Sequence, residues 1–148
     1  MKKRIAVIGY GGQGAWHCDR ILGSDVAELA GTYDINPVRM DAARRKGIFT
    51  YDSFEAAVSD ASVDAVVIAV PNDVHKKLVI DALRAGRNVI CEKPVEMSVA
   101  ALDEMIAAAN ETGKLFTVHQ NRRWDVDFLA VKGVAESGEI GEPIRIES

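Results

Sequence analysis

The stretch Ile5-Ala6-Val7-Ile8-Gly9-Tyr10-Gly11-Gly12-Gln13-Gly14 opens with four apolar residues and closes on the pattern G-x-G-x-x-G. An unbroken run rich in valine and isoleucine reads as a strand covered on both faces, as in a parallel sheet. Residues 15–22 continue as a helix. The glycine pattern alone is a weak signal, but directly after a strand and at the opening of a helix it becomes specific. Gly9 permits the tight turn, Gly11 lets a pyrophosphate approach the backbone, and Gly14 allows close packing of helix on strand. With Gly12 and Gln13 opening the helix, phosphates would rest on its free N–H groups and positive dipole end.

Twenty residues after Gly14 stands Asp34, at the end of the second apolar run. A carboxylate there accepts hydrogen bonds from the adenosine ribose hydroxyls and repels a 2′-phosphate, so NAD is expected over NADP. Arg39, close in sequence, is expected as a solvated helix charge. A tight turn plus a capping aspartate would give the same residues, but without the order strand, loop, helix, strand, acid. Methyltransferases and coenzyme A binders use similar loops, yet neither accounts for the motifs further along.

The same kind of run recurs at residues 26–33, 65–70, 88–91 and 115–118. Helical segments separate these runs. Asn36-Pro37 reads as a cap followed by proline at the first helical position, with Gly47 at the far end. Asp52 followed by Glu55 resembles a capping box. Val74, Leu78, Ala82 and Ala85 share one helix face before Gly86, and Ser98 caps a helix whose Leu102, Met105, Ile106 and Ala109 do likewise before Gly113. A last helix spans residues 126–137 and ends at Gly138, and residues 143–147 read as one more strand. Strand and helix alternate throughout, which predicts a doubly wound α/β domain with a parallel sheet.

With 148 residues, 48% hydrophobic and 27% charged, the chain is one domain's worth of globular protein. A net charge of −4 argues against a general nucleic-acid binder. Cys18 and Cys91 match no metal-ligand spacing and read as buried free thiols, so neither a metal site nor a disulfide framework is expected. The basic opening is followed by an apolar run too short for an export signal, and no stretch reaches the length of a membrane span. A cytoplasmic protein is expected.

In an open α/β sheet, ligands gather beyond the carboxyl ends of the strands. Three segments fall there. In the first, Ala69-Val70-Pro71-Asn72-Asp73-Val74-His75, the polar residues serve a ligand or merely cap and pack the next helix. In the second, Cys91-Glu92-Lys93-Pro94, a lysine facing a nicotinamide would stabilise charge on a reacting oxygen; the rival reading is a Glu92–Lys93 surface pair of little worth. In the third, His119-Gln120-Asn121-Arg122-Arg123-Trp124-Asp125, the arginines read as a solvated pair and Trp124 as packing. His17, within the first helix, reads as structural.

Together, the glycine loop with His17 three residues on, Ala69-Val70-Pro71-Asn72 with His75, Cys91-Glu92-Lys93-Pro94 and Gln120-Asn121-Arg122-Arg123-Trp124-Asp125 resemble the Gfo/Idh/MocA oxidoreductases over essentially the whole chain. The resemblance implies an NAD(P)-dependent dehydrogenase acting on a sugar, polyol or related hydroxyl compound. It implies Lys93 as the catalytic-site lysine, a cis Lys93–Pro94 bond, and Pro71, Asn72, His75, Glu92 and Lys93 itself at the cofactor site. Members of the family carry a second α/β domain that supplies substrate contacts and the homo-oligomer interface. Residues 1–142 are thus expected as the dinucleotide-binding domain and 143–148 as the first piece of a substrate domain otherwise missing, which would leave the chain inactive alone. The rival is a stand-alone NAD-binding or redox-sensing module, which has no evident use for Glu92-Lys93-Pro94.

Overall fold

The apolar runs fold into five strands: β1 (Lys3–Ile8), β2 (Ala27–Tyr33), β3 (Ala65–Ile68), β4 (Asn88–Cys91) and β5 (Phe116–Val118). The structure is a computed structural model that describes residues 1–145. All strand pairs are parallel, in the order β2-β1-β3-β4-β5. On the outer side of β2, Thr50 adds an isolated parallel bridge to Thr32. The Thr32 N–H donates to the Phe49 carbonyl and the Tyr51 N–H to the Thr32 carbonyl, each at 2.9 Å. Strand order therefore reverses between β1 and β3, the switch point at which such sheets take ligands.

Alternation along the central strands explains why their apolar runs are unbroken. Ala6 and Ile8 of β1, with Val66 and Ile68 of β3, join one buried cluster. Val7 and Val67, pointing the other way, join a second. The first cluster is covered by α3 (Phe54–Ser59), α4 (His75–Arg84) and α5 (Val99–Thr112) through Phe54, Ala57, Val79, Leu83 and Met105. The second is covered by α1 (Gly12–Leu22) and α2 (Pro37–Arg45) through Cys18, Ile21 and Ala43. Both thiols are free and buried.

The helix ends follow local chemistry. The Asn36 side chain accepts from the Val38 N–H with Pro37 at the first helical position, and Ser98 accepts from the Ala101 N–H. Gly113 and Gly138 close α5 and α6 (Val126–Ser137) in the left-handed conformation. Four expectations shift. The cap of α3 is Ser53 rather than Asp52, with the Ser53 side chain accepting from the Ala56 N–H, which sets Phe54 inward at the first helical position. Residues 72–74 form a separate 3-10 turn, so the periodicity of α4 starts at His75 and buries Val79, Ala82 and Leu83 instead of Val74 and Ala85. β3 ends at Ile68, leaving Ala69 and Val70 as loop. Residues 143–145 form no strand, and the rest of the expected run 143–147 lies outside the described residues. Among the described residues, no helix is long and apolar enough to cross a membrane.

Candidate functional site

The glycine loop crosses the switch point. Gly9 takes φ +95°, its N–H donates to the Tyr33 carbonyl at 2.7 Å, and a Cβ there would stand 2.3 Å from the Ala69 carbonyl oxygen. A Cβ on Gly14 would stand 1.8 Å from the Gly9 carbonyl oxygen. Both contacts are with backbone, so no side chain fits at either position. Gly11 and Gly12 differ: a Cβ on Gly12 meets nothing within 4 Å, and one on Gly11 meets only the Arg39 guanidinium, at 3.7 Å. No side chain caps the helix that begins here. Its N-terminal N–H groups thus open onto space that two glycines keep clear, which fits a pyrophosphate.

Asp34 follows β2 directly and is 7% exposed. One of its oxygens accepts from the Tyr10 N–H at 2.7 Å, the other from the Asn36 N–H at 2.8 Å. The carboxylate is thereby tied to the loop it would serve. Arg39 is solvent-exposed as expected, but it is not a free surface charge: its Nη1 lies 3.2 Å from the Asp34 carboxylate, because one helical turn carries the side chain back over the loop. A cavity of ≈ 390 Å³ opens beside this pair, bordered by Gly9, Tyr33, Asp34, Arg39, Pro71 and Leu78. Pro71 therefore faces the same cavity as Asp34, with Asn72 half-buried at the start of the 3-10 turn.

His75, expected at the cofactor site, sits behind it. The ring is 0% exposed, with Nε2 2.9 Å from the Val70 carbonyl and Nδ1 3.2 Å from the Val95 carbonyl. It ties the two loops together and offers no nitrogen to a bound molecule. Of the two readings the sequence left open for His75, packing is the one realised.

Glu92 overturns the surface-pair reading. It is 6% exposed, and among the described residues no ion pair joins it to the Lys93 ammonium. Its Oε1 lies 2.7 Å from Nε2 of His17, 2.9 Å from Nδ1 of His119 and 3.2 Å from Nε2 of Gln13, while Oε2 accepts from the Lys93 N–H at 3.2 Å. Burial pushes this carboxyl up, but the hydrogen bonds from His17, His119, Lys93 and Gln13 outweigh burial and hold it below the usual value. Burial also lowers His17, against the hydrogen bond to Glu92. The pair is thus a carboxylate with a neutral histidine. The three side chains His17, Glu92 and His119 place ligand-type atoms within 4.8 Å of one another.

Lys93 is exposed, and the bond to Pro94 is cis, as the resemblance implies. It borders a cavity of ≈ 570 Å³ with Gln13, Val70, Glu92, Gln120, Asn121 and Arg122. Ala69 and Val70 border both cavities, so the Asp34 side and the Lys93 side meet at the β3 exit. Arg122 pairs with Asp125 at 2.7 Å, and Trp124 is 78% exposed rather than packed. His17, His119 and Arg39 are the residues that sequence reasoning undervalued. The signal for His17 was its place three residues beyond the glycine pattern, on the helix face turned toward the strands.

The sequence model of a family described as "Oxidoreductase family, NAD-binding Rossmann fold" matches residues 3–120. The chain belongs to the Gfo/Idh/MocA oxidoreductase family. Within that family it is 34% identical over 148 residues to the uncharacterized oxidoreductase YdgJ of Escherichia coli, covering 98% of this chain and 42% of that one. It is 33% identical to inositol 2-dehydrogenase of Rhizobium meliloti over 145 residues, covering 96% of this chain and 43% of that one. Among solved structures, an NAD-binding protein from Listeria innocua superposes with a TM-score of 0.91 at 46% identity, over 96% of this chain and 42% of the other. The chain spans less than half the length of these relatives. In Gfo/Idh/MocA terms, the described residues comprise a parallel Rossmann sheet with its glycine loop and the lysine-bearing exit of β4.

Proposed function

We propose that this chain is the NAD-binding part of a dehydrogenase that transfers a hydride between nicotinamide and a carbon bearing a hydroxyl group, in a sugar, polyol or related compound. One observation carries the reading: Lys93, at the β4 exit, borders a polar cavity that Gln13, at the end of the glycine loop, borders too. The proposed cofactor-site residues are Gly9, Gly11, Gly12, Gln13, Gly14, Asp34, Pro71, Asn72, Glu92 and, at its edge, Lys93. Bound NAD supplies the hydride acceptor. The chain's own residues do the rest. The helix N-terminus and clear loop hold the pyrophosphate, the Asp34 carboxylate accepts from the ribose hydroxyls, and the Lys93 ammonium donates a hydrogen bond to the substrate oxygen. That bond strengthens as charge develops on the oxygen, which is where stabilisation lowers a barrier. NAD is preferred because Asp34 opposes a 2′-phosphate, although Arg39 beside it softens the penalty. The inositol dehydrogenases among its relatives support a polyol as the substrate class. The working protein is proposed to be cytoplasmic and, at its relatives' full length, a homo-oligomer, with this chain inactive alone.

Titration of the purified chain with NADH and NADPH, followed by nicotinamide fluorescence, tests the assignment. Saturable binding of NADH, weaker for NADPH, is expected, and binding of neither would end it. Lys93→Ala should leave NADH binding within about threefold, because the lysine acts on the substrate oxygen. In the protein at its relatives' full length, the same change should abolish polyol oxidation.

A further inference from the structure

Glu92 is a charged group where an apolar one would pack. A buried carboxylate carries a desolvation cost that only well-placed partners offset. Here four donors converge on it from three separate elements: Gln13 and His17 from α1, His119 from the β5 exit, and the Lys93 N–H from its own strand exit. Gln13 lies in the first turn of the helix that meets the pyrophosphate, and Lys93 is the next residue in the chain. The rings of His17 and His119 also pack edge to face with centroids 4.7 Å apart, and the Trp16 ring meets His17 edge-on at 5.1 Å and His119 at a tilt at 5.9 Å. The carboxylate is therefore a junction between the cofactor-binding helix and the lysine.

We propose that Glu92 is a positioning residue that couples seating of the dinucleotide on α1 to the placement of Lys93, with His17 and His119 holding the carboxylate in register. This rests on the reading of Lys93 and the glycine loop given above. A metal centre is the other use for two histidines and a carboxylate, but the distances disfavour it. Two ligands about 2.0–2.2 Å from a tetrahedral zinc stand roughly 3.3 Å apart. His17 and His119 stand 2.7 and 2.9 Å from Glu92 Oε1, which are hydrogen-bond separations. The second carboxylate oxygen is occupied as well. An amide at this position has one acceptor oxygen where the carboxylate has two, so Glu92→Gln must lose part of the junction.

The test uses the 148-residue chain with its lysines reductively methylated with ¹³C, the Lys93 resonance being assigned by its loss in Lys93→Arg. In the wild-type chain, saturating NAD⁺ is expected to shift the Lys93 signal. In Glu92→Gln, and in His119→Gln at the half-exposed rim should the first variant fail to fold, the shift at saturation should fall to less than half. An undiminished shift in folded variants, judged by circular dichroism, overturns the proposal. Stoichiometric zinc binding that disappears in His17→Gln overturns it too, because the cluster would then be a metal centre. Failure of the wild-type chain to change NADH fluorescence refutes the cofactor assignment instead. The coupling is then read without ligand: a Lys93 titration curve that Glu92→Gln moves sustains the junction, and one that coincides with wild type refutes it.

Discussion

Cys18 on α1 and Leu129 on α6 are apolar residues inside helices of nearly equal length, yet one is 0% exposed and the other 45%. α1 lies across β2, β1 and β3, and its buried residues Gly14, His17, Cys18 and Ile21 form one continuous seam. α6 buries none of its residues, although Phe128, Leu129, Val131 and Val134 would serve a core as well as the residues of α1 do. The sheet differs in the same way. β1 and β3 bury residues on both faces, whereas β5 has no fully buried residue, and Ile90, Thr117 and Val118 line an open cavity of ≈ 670 Å³. Helix formation is thus decided locally, by caps and glycine stops, while the contribution of a helix to stability is decided by what it lies against.

That contrast can be broken by substitution, and the largest effect should come where backbone meets backbone. Gly14→Ala places a carbon 1.8 Å from the Gly9 carbonyl, so it should cost more than about 3 kcal/mol in urea denaturation and abolish NADH binding. Met105→Ala, on the covered side at 0% exposure, should cost about 2–5 kcal/mol by the same measurement. A smaller effect belongs to the Glu92 junction. Unfolded His17 takes up a proton near its ordinary value of about 6.5, but the buried ring resists it, so the unfolded state binds more protons and stability falls as pH drops below about 6.5. Glu92 adds a further loss below about 4.3, as the carboxylate held low in the fold must finally protonate. The urea midpoint of the wild-type chain should therefore fall between pH 7 and 5, and His17→Gln should flatten that slope. Leu129→Ala sharpens the contrast from the other side: it should change stability by less than about 0.5 kcal/mol, with the midpoint unmoved.

What could be read from the sequence follows the same division. The glycine loop, the Asn36-Pro37 start and the Gly113 and Gly138 stops depend on a few neighbouring residues, and they stand where the spacing places them. Ser53 displaced Asp52 as a cap because both are acceptors, and only the inward demand of Phe54 chooses between them. The one-residue change of phase in α4 came from a 3-10 turn that no periodicity announces. Arg39 and His75 were only half legible for a common reason. Each has one short-range use and one tertiary use, and the choice depends on which loop lies within reach. Glu92 is the extreme case, since its partners lie 27, 75 and 79 residues away.

The two buried thiols have a practical consequence. Burial pushes Cys18 up to about 11 and Cys91 up to about 12, and both are 0% exposed. Maleimide reagents attack thiolates, so near neutral pH both positions should stay silent, while a cysteine introduced at an exposed site such as Ser137 reacts at its ordinary value of about 8.5. The natural sequence therefore already serves as a background for site-selective fluorescent labelling, with no native cysteine to be replaced first.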